Sequence, residues 1–258
     1  MAIAPGEEIN DERGRKVISR LAGFVDLDPS EVQQLVALAG REYRFERGDI
    51  IRSENEHDLY LLIDGWAASA VIVEDGSRQL ITANLPGDIL GLPGLAVRDP
   101  VDTVIALTDV EVIGISPRQI GEAFAHSPRL AALMFLISQE ERSLLMERLA
   151  LMGQASALTR LSALILRMQE RHAQIDRNTD ASFFMPLTQR ELGELIGVTG
   201  VHMNALLKEL RERGIAVIKA RKLTILDRDE LIRIAGVSPW CRSSPSWLPC
   251  PEPPVEVR

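Results

Sequence analysis

The stretch from Leu187 to Leu210, LTQRELGELIGVTGVHMNALLKEL, constrains this chain most, because its pattern fits two short helices joined by one tight turn. Thr188 followed three residues later by Glu191 is the signature of a capping box, in which two orphan amide donors at a helix start are met by side chains. Leu192, Leu195 and Ile196 then share one face, and Gly197 breaks the run. Thr199 can cap a second helix, on which Met203, Leu206, Leu207 and Leu210 recur at three- and four-residue spacing. An ordinary helical hairpin in a core has the same pattern, so the neighbouring residues decide between the two. After Arg211-Glu212-Arg213-Gly214 come IAVI, KARK and LTIL, which read as strand, turn and strand. A helix-turn-helix with a basic hairpin beside it points to DNA. The hairpin's Lys219, Arg221 and Lys222 can meet phosphates while the second helix enters the major groove.

The net charge of −8 opposes that reading only until it is divided along the chain. Residues 1–153 carry 14 Lys and Arg against 25 Asp and Glu, whereas residues 154–236 carry 13 against 10. The acid therefore lies outside the candidate reading head, an arrangement that favours one orientation on a polyanion. No apolar run approaches the length of a membrane span, and the opening MAIAPGEEINDE is too acidic and polar for a signal peptide. A cytoplasmic protein that does not engage membranes is expected. Cys241 and Cys250 are the only cysteines and both fall in a Pro-rich tail, which argues against a disulfide framework.

The rest of the chain changes period twice. Helical patterns run from residue 13 to 40, with Val17, Leu21 and Phe24, then Leu35, Val36 and Leu38 after an Asp28-Pro29 cap. From Arg41 the period is two, and LYLLI, WAASAVIV, RQLITANL, DTVIAL and VEVIGI alternate with the turns Arg47-Gly48-Asp49, Asp64-Gly65, Glu74-Asp75-Gly76 and Leu85-Pro86-Gly87-Asp88. Short strands with Gly turns indicate a β-roll or jelly roll. Ser127-Pro128 then opens a helix without internal Gly or Pro as far as Met152, roughly 37 Å at 1.5 Å per residue. Met134, Ile137, Glu141, Leu144, Arg148 and Leu151 recur at alternating three and four, a seam for a partner helix. Phe135, Leu136, Leu145 and Leu149 widen the apolar surface, so both faces should be covered and a homodimer is expected. Gly153 reads as a hinge. The fold class is α+β, with a roll and N-terminal helices over 1–126, a dimerisation helix over 127–153, a winged helix-turn-helix over 154–236 and a Pro/Ser-rich tail over 237–258. The tail should hold little regular structure.

A roll, a long helix and a winged helix-turn-helix in that order resemble the Crp/Fnr family of bacterial transcription regulators. The residues carrying the likeness are Phe45-x-x-Gly48-Asp49, Leu59 to Gly65, Gly87-Asp88-Ile89-Leu90-Gly91 and Leu187-Thr188-x-x-Glu191-Leu192-Gly193. The resemblance implies a cyclic-nucleotide-binding-like roll, a homodimer on a roughly palindromic operator in double-stranded DNA, and contact with RNA polymerase. By position it assigns Gln189, Arg190, Thr199 and His202 to phosphates, and Gly200, Val201, Asn204, Ala205 and Lys208 to the groove-facing side. It also exposes a departure. Well-known members carry Arg or Glu at the places of Gly200, Val201 and Ala205, so base reading here falls to Asn204 and Lys208, with His202 as a further candidate.

The candidate effector pocket, Gly91, Leu92 and Arg98, departs further. In nucleotide-binding members a Glu holds the ribose where Leu92 stands, and an Arg-Ser pair meets the phosphate where Pro100 and Val101 fall. Arg98 is flanked by Asp99 and Asp102, unfavourable company for an anion. Cyclic AMP is therefore not expected, and the lack of a Cys cluster speaks against an iron-sulfur centre. His57 and His126 leave haem open, and otherwise no cofactor or metal is expected. No nucleophile elbow, Walker loop or HExxH pattern is present and the four His are dispersed, so an enzyme is not expected. The competing reading is an effector-binding module that works through protein partners and whose helix-turn-helix has degenerated.

Overall fold

The computed structural model describes residues 18–20, 22–24, 27, 31, 40–53, 56–72, 78–100, 102–175, 181–241 and 245–248. The helical patterns at Val17, Leu21, Asp28-Pro29 and Leu35 to Leu38, the turn at Glu74-Asp75-Gly76, Val101 and Cys250 lie outside the described residues.

Among the described residues eight strands build the roll: β1 (Glu42–Phe45), β2 (Ile50–Arg52), β3 (Leu59–Asp64), β4 (Ala67–Ile72), β5 (Arg78–Asn84), β6 (Ile89–Leu90), β7 (Thr103–Ala106) and β8 (Val110–Ile115). They form two antiparallel four-stranded sheets in the orders β1-β8-β3-β6 and β2-β7-β4-β5. Alternation along the strands sorts the side chains. Ala67, Val104 and Ala106 face an inner core with Ile51, Leu62, Leu90, Val110 and Val112, while Ala68, Ala70 and Ile105 face the other way. The turn at Gly65 requires glycine: its φ is 85°, and a Cβ there would meet the Asp109 carbonyl oxygen at 2.2 Å.

Three helices follow: α1 (Pro117–His126), α2 (Pro128–Gln154) and α3 (Ala157–Ile175). The Ser127 side chain caps α2 and Pro128 occupies its first turn, as the sequence implies. Gly153 does not act as a hinge. It lies inside α2, and the break falls at Ala155, whose extended backbone ends the helix. The remaining elements are β9 (Ser182–Phe184), α4 (Gln189–Ile196), α5 (Gly200–Glu212), β10 (Ala216–Lys219), β11 (Lys222–Ile225) and α6 (Arg228–Ala235), with β10, β11 and β9 forming a three-stranded sheet.

One apolar core runs across the boundary between roll and C-terminal half. Trp66, Leu80, Ala83 and Leu107 from the roll join Leu161 and Leu164 of α3, Leu195 of α4 and Met203 of α5 in a single buried cluster. Beneath the middle of α2 lies a charged layer, with Arg20 bound to Asp88 at 3.1 Å and Glu140 at 2.5 Å, and Arg171 of α3 also bound to Asp88. The described part of the tail forms no helix or strand. It is nevertheless docked: Trp240 donates its backbone N–H to Glu170 at 2.8 Å and its indole N–H to Glu140 at 3.2 Å, and Arg167 stacks over its ring. Trp247 meets Phe135 of α2 edge to face.

Candidate nucleic-acid interface

The helix-turn-helix is built from its caps inward. Thr188 Oγ1 accepts the Glu191 amide at 3.2 Å while Glu191 accepts the Thr188 amide at 2.7 Å, so both arms of the capping box are made. Gly197 ends α4 with φ of 69°, and Gly193 lets the turn close against the helix. A Cβ on Gly193 would stand 2.5 Å from the Val198 carbonyl oxygen. Thr199 then caps α5 by accepting the His202 amide at 3.3 Å.

Met203, Leu206 and Leu210 are buried beneath α5 and Leu207 is half-buried. Val201, His202, Asn204, Ala205 and Lys208 are exposed on the opposite side, Val201 at 85%, and Gly200 is half-buried over the Arg190 backbone. Of the residues assigned to phosphates, Gln189, Arg190 and Thr199 are exposed beside this face. Gln189 donates to Asn204 Oδ1 at 3.4 Å, which ties a phosphate candidate to a base-reading candidate, and Arg190 pairs with Glu194 at 2.9 Å. Lys219, Arg221 and Lys222 are exposed at the tip of the β10–β11 hairpin. Its turn places Ala220 and Arg221 at φ of 48° and 58°, the left-handed pair that a two-residue hairpin demands, without glycine at either position. Arg211 joins the site unannounced. It is exposed and lines the same hollow as Gln189, Asn204 and Lys208, and its spacing from Asn204 and Lys208 along the helix is the signal that could have found it.

The roll grips α4. The Arg47 guanidinium donates to both oxygens of Glu191 at 2.7 and 2.9 Å, and Arg78 pairs with Glu194 at 2.8 Å. Gln79 donates to the Glu194 carbonyl oxygen. Two carboxylates near the reading head are thereby neutralised by the roll.

The other two predicted sites rearrange. On α2, Met134 and Ile137 are buried, at 6% and 1% exposure, against the chain's own Leu59, Ile115 and Phe24. They do not form an outward seam; Glu141, Leu144, Arg148 and Leu151 are half-buried. The exposed apolar positions are Phe135, Leu145, Met146, Leu149 and Met152, largely one residue later in the same three-four rhythm. In the effector cassette, Gly91 is buried and Leu92 half-buried. Arg98 is exposed, and Leu92 packs on the apolar cluster of Leu59, Ile115, Ile120 and Met134. Beneath Gly91 lies Arg52, wholly buried, bound to Asp102 Oδ2 at 2.6 Å, to the Asp102 carbonyl at 3.0 Å and to the Glu56 carbonyl at 2.6 Å. His57 bonds the Gly94 carbonyl at 2.9 Å and His126 the Glu122 carbonyl at 2.6 Å. Among the described residues, no three His, Cys, Asp or Glu side chains are grouped to hold a metal, and no helix is long and apolar enough to cross a membrane.

A roll of two four-stranded sheets, a long helix and a winged helix-turn-helix with an exposed recognition face define a regulator that reads DNA. Comparison with known proteins agrees. Residues 42–127 match the cyclic nucleotide-binding domain and residues 159–234 the Crp-like helix-turn-helix domain. The chain is 25% identical over 223 residues to the fumarate and nitrate reduction regulatory protein of Vibrio cholerae, covering 86% of this chain and 89% of that one. It is 24% identical over 214 residues to the transcriptional regulatory protein btr of Bordetella pertussis, covering 82% and 88%. Its fold resembles that of FixK2 from Bradyrhizobium japonicum, with a TM-score of 0.69 and 21% identity over 78% of this chain and 100% of that one. A CooA mutant from Carboxydothermus hydrogenoformans gives 0.60 and 18%, over 76% and 87%. The chain belongs to the Crp/Fnr family of transcription regulators.

Proposed function

We propose that this regulator acts as a homodimer on a roughly palindromic operator, without cyclic AMP as its effector, and contacts RNA polymerase in the cytoplasm. The observation that carries the reading is the division of α5 into a buried face, Met203, Leu206 and Leu210, and an exposed one, Val201, His202, Asn204 and Lys208, flanked by the basic hairpin tip. Asn204 can meet adenine and Lys208 guanine in the major groove, while Gln189, Arg190, Thr199, Arg211, Lys219, Arg221 and Lys222 hold phosphates. Phe135 and Leu149, 55% and 74% exposed, support the dimer, since large apolar side chains left exposed on a long helix favour a partner. Arg52 and Asp102 support the absence of cyclic AMP: the guanidinium under the cassette is already neutralised within the chain.

Selection of bound fragments from a random duplex pool, followed by a salt titration, tests this reading. The expected result is an enriched inverted repeat, bound without nucleotide, with log K falling steeply against log salt. Replacing Asn204 with Ala should relax one base position, by about 1–3 kcal/mol of discrimination. Failure to enrich any sequence would overturn DNA recognition, and strict dependence on cyclic AMP would overturn the effector reading alone. Charged residues at Phe135 and Leu149 should give monomers by sedimentation; an intact dimer would place the interface elsewhere.

A further inference from the structure

The Pro/Ser-rich tail has no part in the DNA site, yet its described residues lie along the body of the molecule in two differently held pieces. The first piece is anchored. The Trp240 backbone N–H donates to Glu170 of α3 at 2.8 Å, and its indole N–H donates to the buried Glu140 of α2 at 3.2 Å. Arg167 donates to the Ser238 carbonyl at 3.0 Å and stacks over the Trp240 ring. Val237 packs on the core that joins the roll to the C-terminal half. The second piece is held more lightly. Trp247 meets the Phe135 ring edge to face, and the two rings stay 56% and 55% exposed.

The Trp247 contact falls on a particular stripe of α2. Phe135, Arg142, Met146 and Leu149 are exposed and follow one another by seven, four and three residues, so they line one side of the helix. Two helices packed face to face lie about 8–10 Å apart, axis to axis, which leaves no layer for an indole over a contact residue. Trp247 and the helix of a second copy therefore claim the same space at Phe135. We propose that the tail is an autoinhibitory strap: when docked, Trp247 covers one end of the dimerisation stripe, and a second copy of the chain must displace it to associate. The strap yields at one end only. The seven residues from Trp240 to Trp247 can span up to about 24 Å, whereas Phe135 and Glu140 are about 7 Å apart along α2. Trp247 can thus swing clear while Trp240 keeps its carboxylates. Tethering holds the indole near Phe135 at an effective concentration on the order of 1 mM, so a weak ring contact still competes with a more dilute partner. The inference rests on the homodimer proposed above and names what opposes it.

Sedimentation equilibrium over a range of protein concentrations tests the strap in the full chain without using DNA. Trp247→Ser removes the ring from an exposed position and leaves the anchor at Trp240 alone. Each protomer carries a strap, so its effect enters squared, and a chain docked two-thirds of the time dimerises about ninefold more weakly than one without a strap. Trp247→Ser should therefore lower the dissociation constant of the dimer by about ninefold or more. Trp247→Phe, which keeps an edge-to-face ring, should stay within about threefold of wild type. Adding Leu149→Glu to Trp247→Ser should return the chain to monomers. An unchanged dissociation constant in Trp247→Ser would overturn the proposal, and so would a raised one, because Trp247 would then belong to the interface. Association that survives Leu149→Glu would overturn it as well, since the serine variant would be joining through another surface. Monomers at every concentration, in wild type and Trp247→Ser alike, would remove the homodimer and the strap together, whereas a dimer indifferent to Trp247 removes the strap alone.

Discussion

Arg52 and Arg148 each keep a buried nitrogen without a hydrogen bond, yet Arg52 has a carboxylate bound to its guanidinium while among the described residues no carboxylate is bound to that of Arg148. Arg52 lies under the cassette with Asp102 and two backbone carbonyls as acceptors. Arg148 lines a cleft between roll and reading head with a terminal nitrogen left without an acceptor among the described residues. A cation bound to its own carboxylate is part of the core and is costly to unpair, whereas one without such a partner is the cheaper of the two to replace.

The largest expected effect comes from unpairing Arg52. Asp102→Ala strands Arg52 in the core and should cost about 3–5 kcal/mol, read by urea denaturation. A loss below about 1 kcal/mol would mean that the cassette is not held by this pair, and the contrast with Arg148 would fall. Next in size is Glu141, next to the charged layer that Arg171 shares with the cleft. Burial first, then the Asp88 carboxylate, raises it from 4.5 to about 7. A carboxyl raised in the folded state keeps its proton longer than the unfolded chain does, so its contribution is full below pH 4.5 and is lost as pH climbs towards 7. Relative to wild type, Glu141→Gln should remove a loss on the order of 2–3 kcal/mol across that window. Parallel stability profiles for the two proteins would locate the pH response elsewhere.

Smaller effects refine the comparison. Arg47→Met cuts the tie between roll and α4, but its side chain is 35% exposed, so screening limits the expected loss to about 1 kcal/mol. The sharper readout is hydrogen exchange, where α4 amides should open more readily than those of β5. Last, Arg148→Met should leave stability within about 1 kcal/mol of wild type, or raise it, because an apolar replacement removes an unmatched buried charge. A large destabilisation would show that Arg148 already has its counter-charge.

Legibility in the sequence tracks the range of the interaction. The roll is announced by period-two runs between Gly turns. The helix-turn-helix is announced by Thr188, Glu191, Gly197 and Thr199, all signals within a few residues of what they control. The contacts from Arg47 to Glu191 and from Arg78 to Glu194 span 144 and 116 residues, and no local pattern records them. The pair formed by Arg52 and Asp102, 50 residues apart, is hidden in the same way. Helix α2 misleads for another reason. Its apolar residues run almost around the circumference, so periodicity alone does not say which stripe faces the roll, and the outward set is that of Phe135 and Leu149 rather than Met134 and Ile137. Gly153 misleads because one glycine near the end of a well-supported helix costs only about 1 kcal/mol, too little to break it.

Ala83 stands where β5 borders the cleft, within the buried cluster that also takes in Leu164 and Leu195. It acts as a shim of minimum thickness. A bulkier side chain at that point would wedge α4 away from the sheet, and α5 would travel with it. In a two-fold assembly each such displacement is counted twice, so the distance between half-sites on DNA could be reset from a strand that never touches a base.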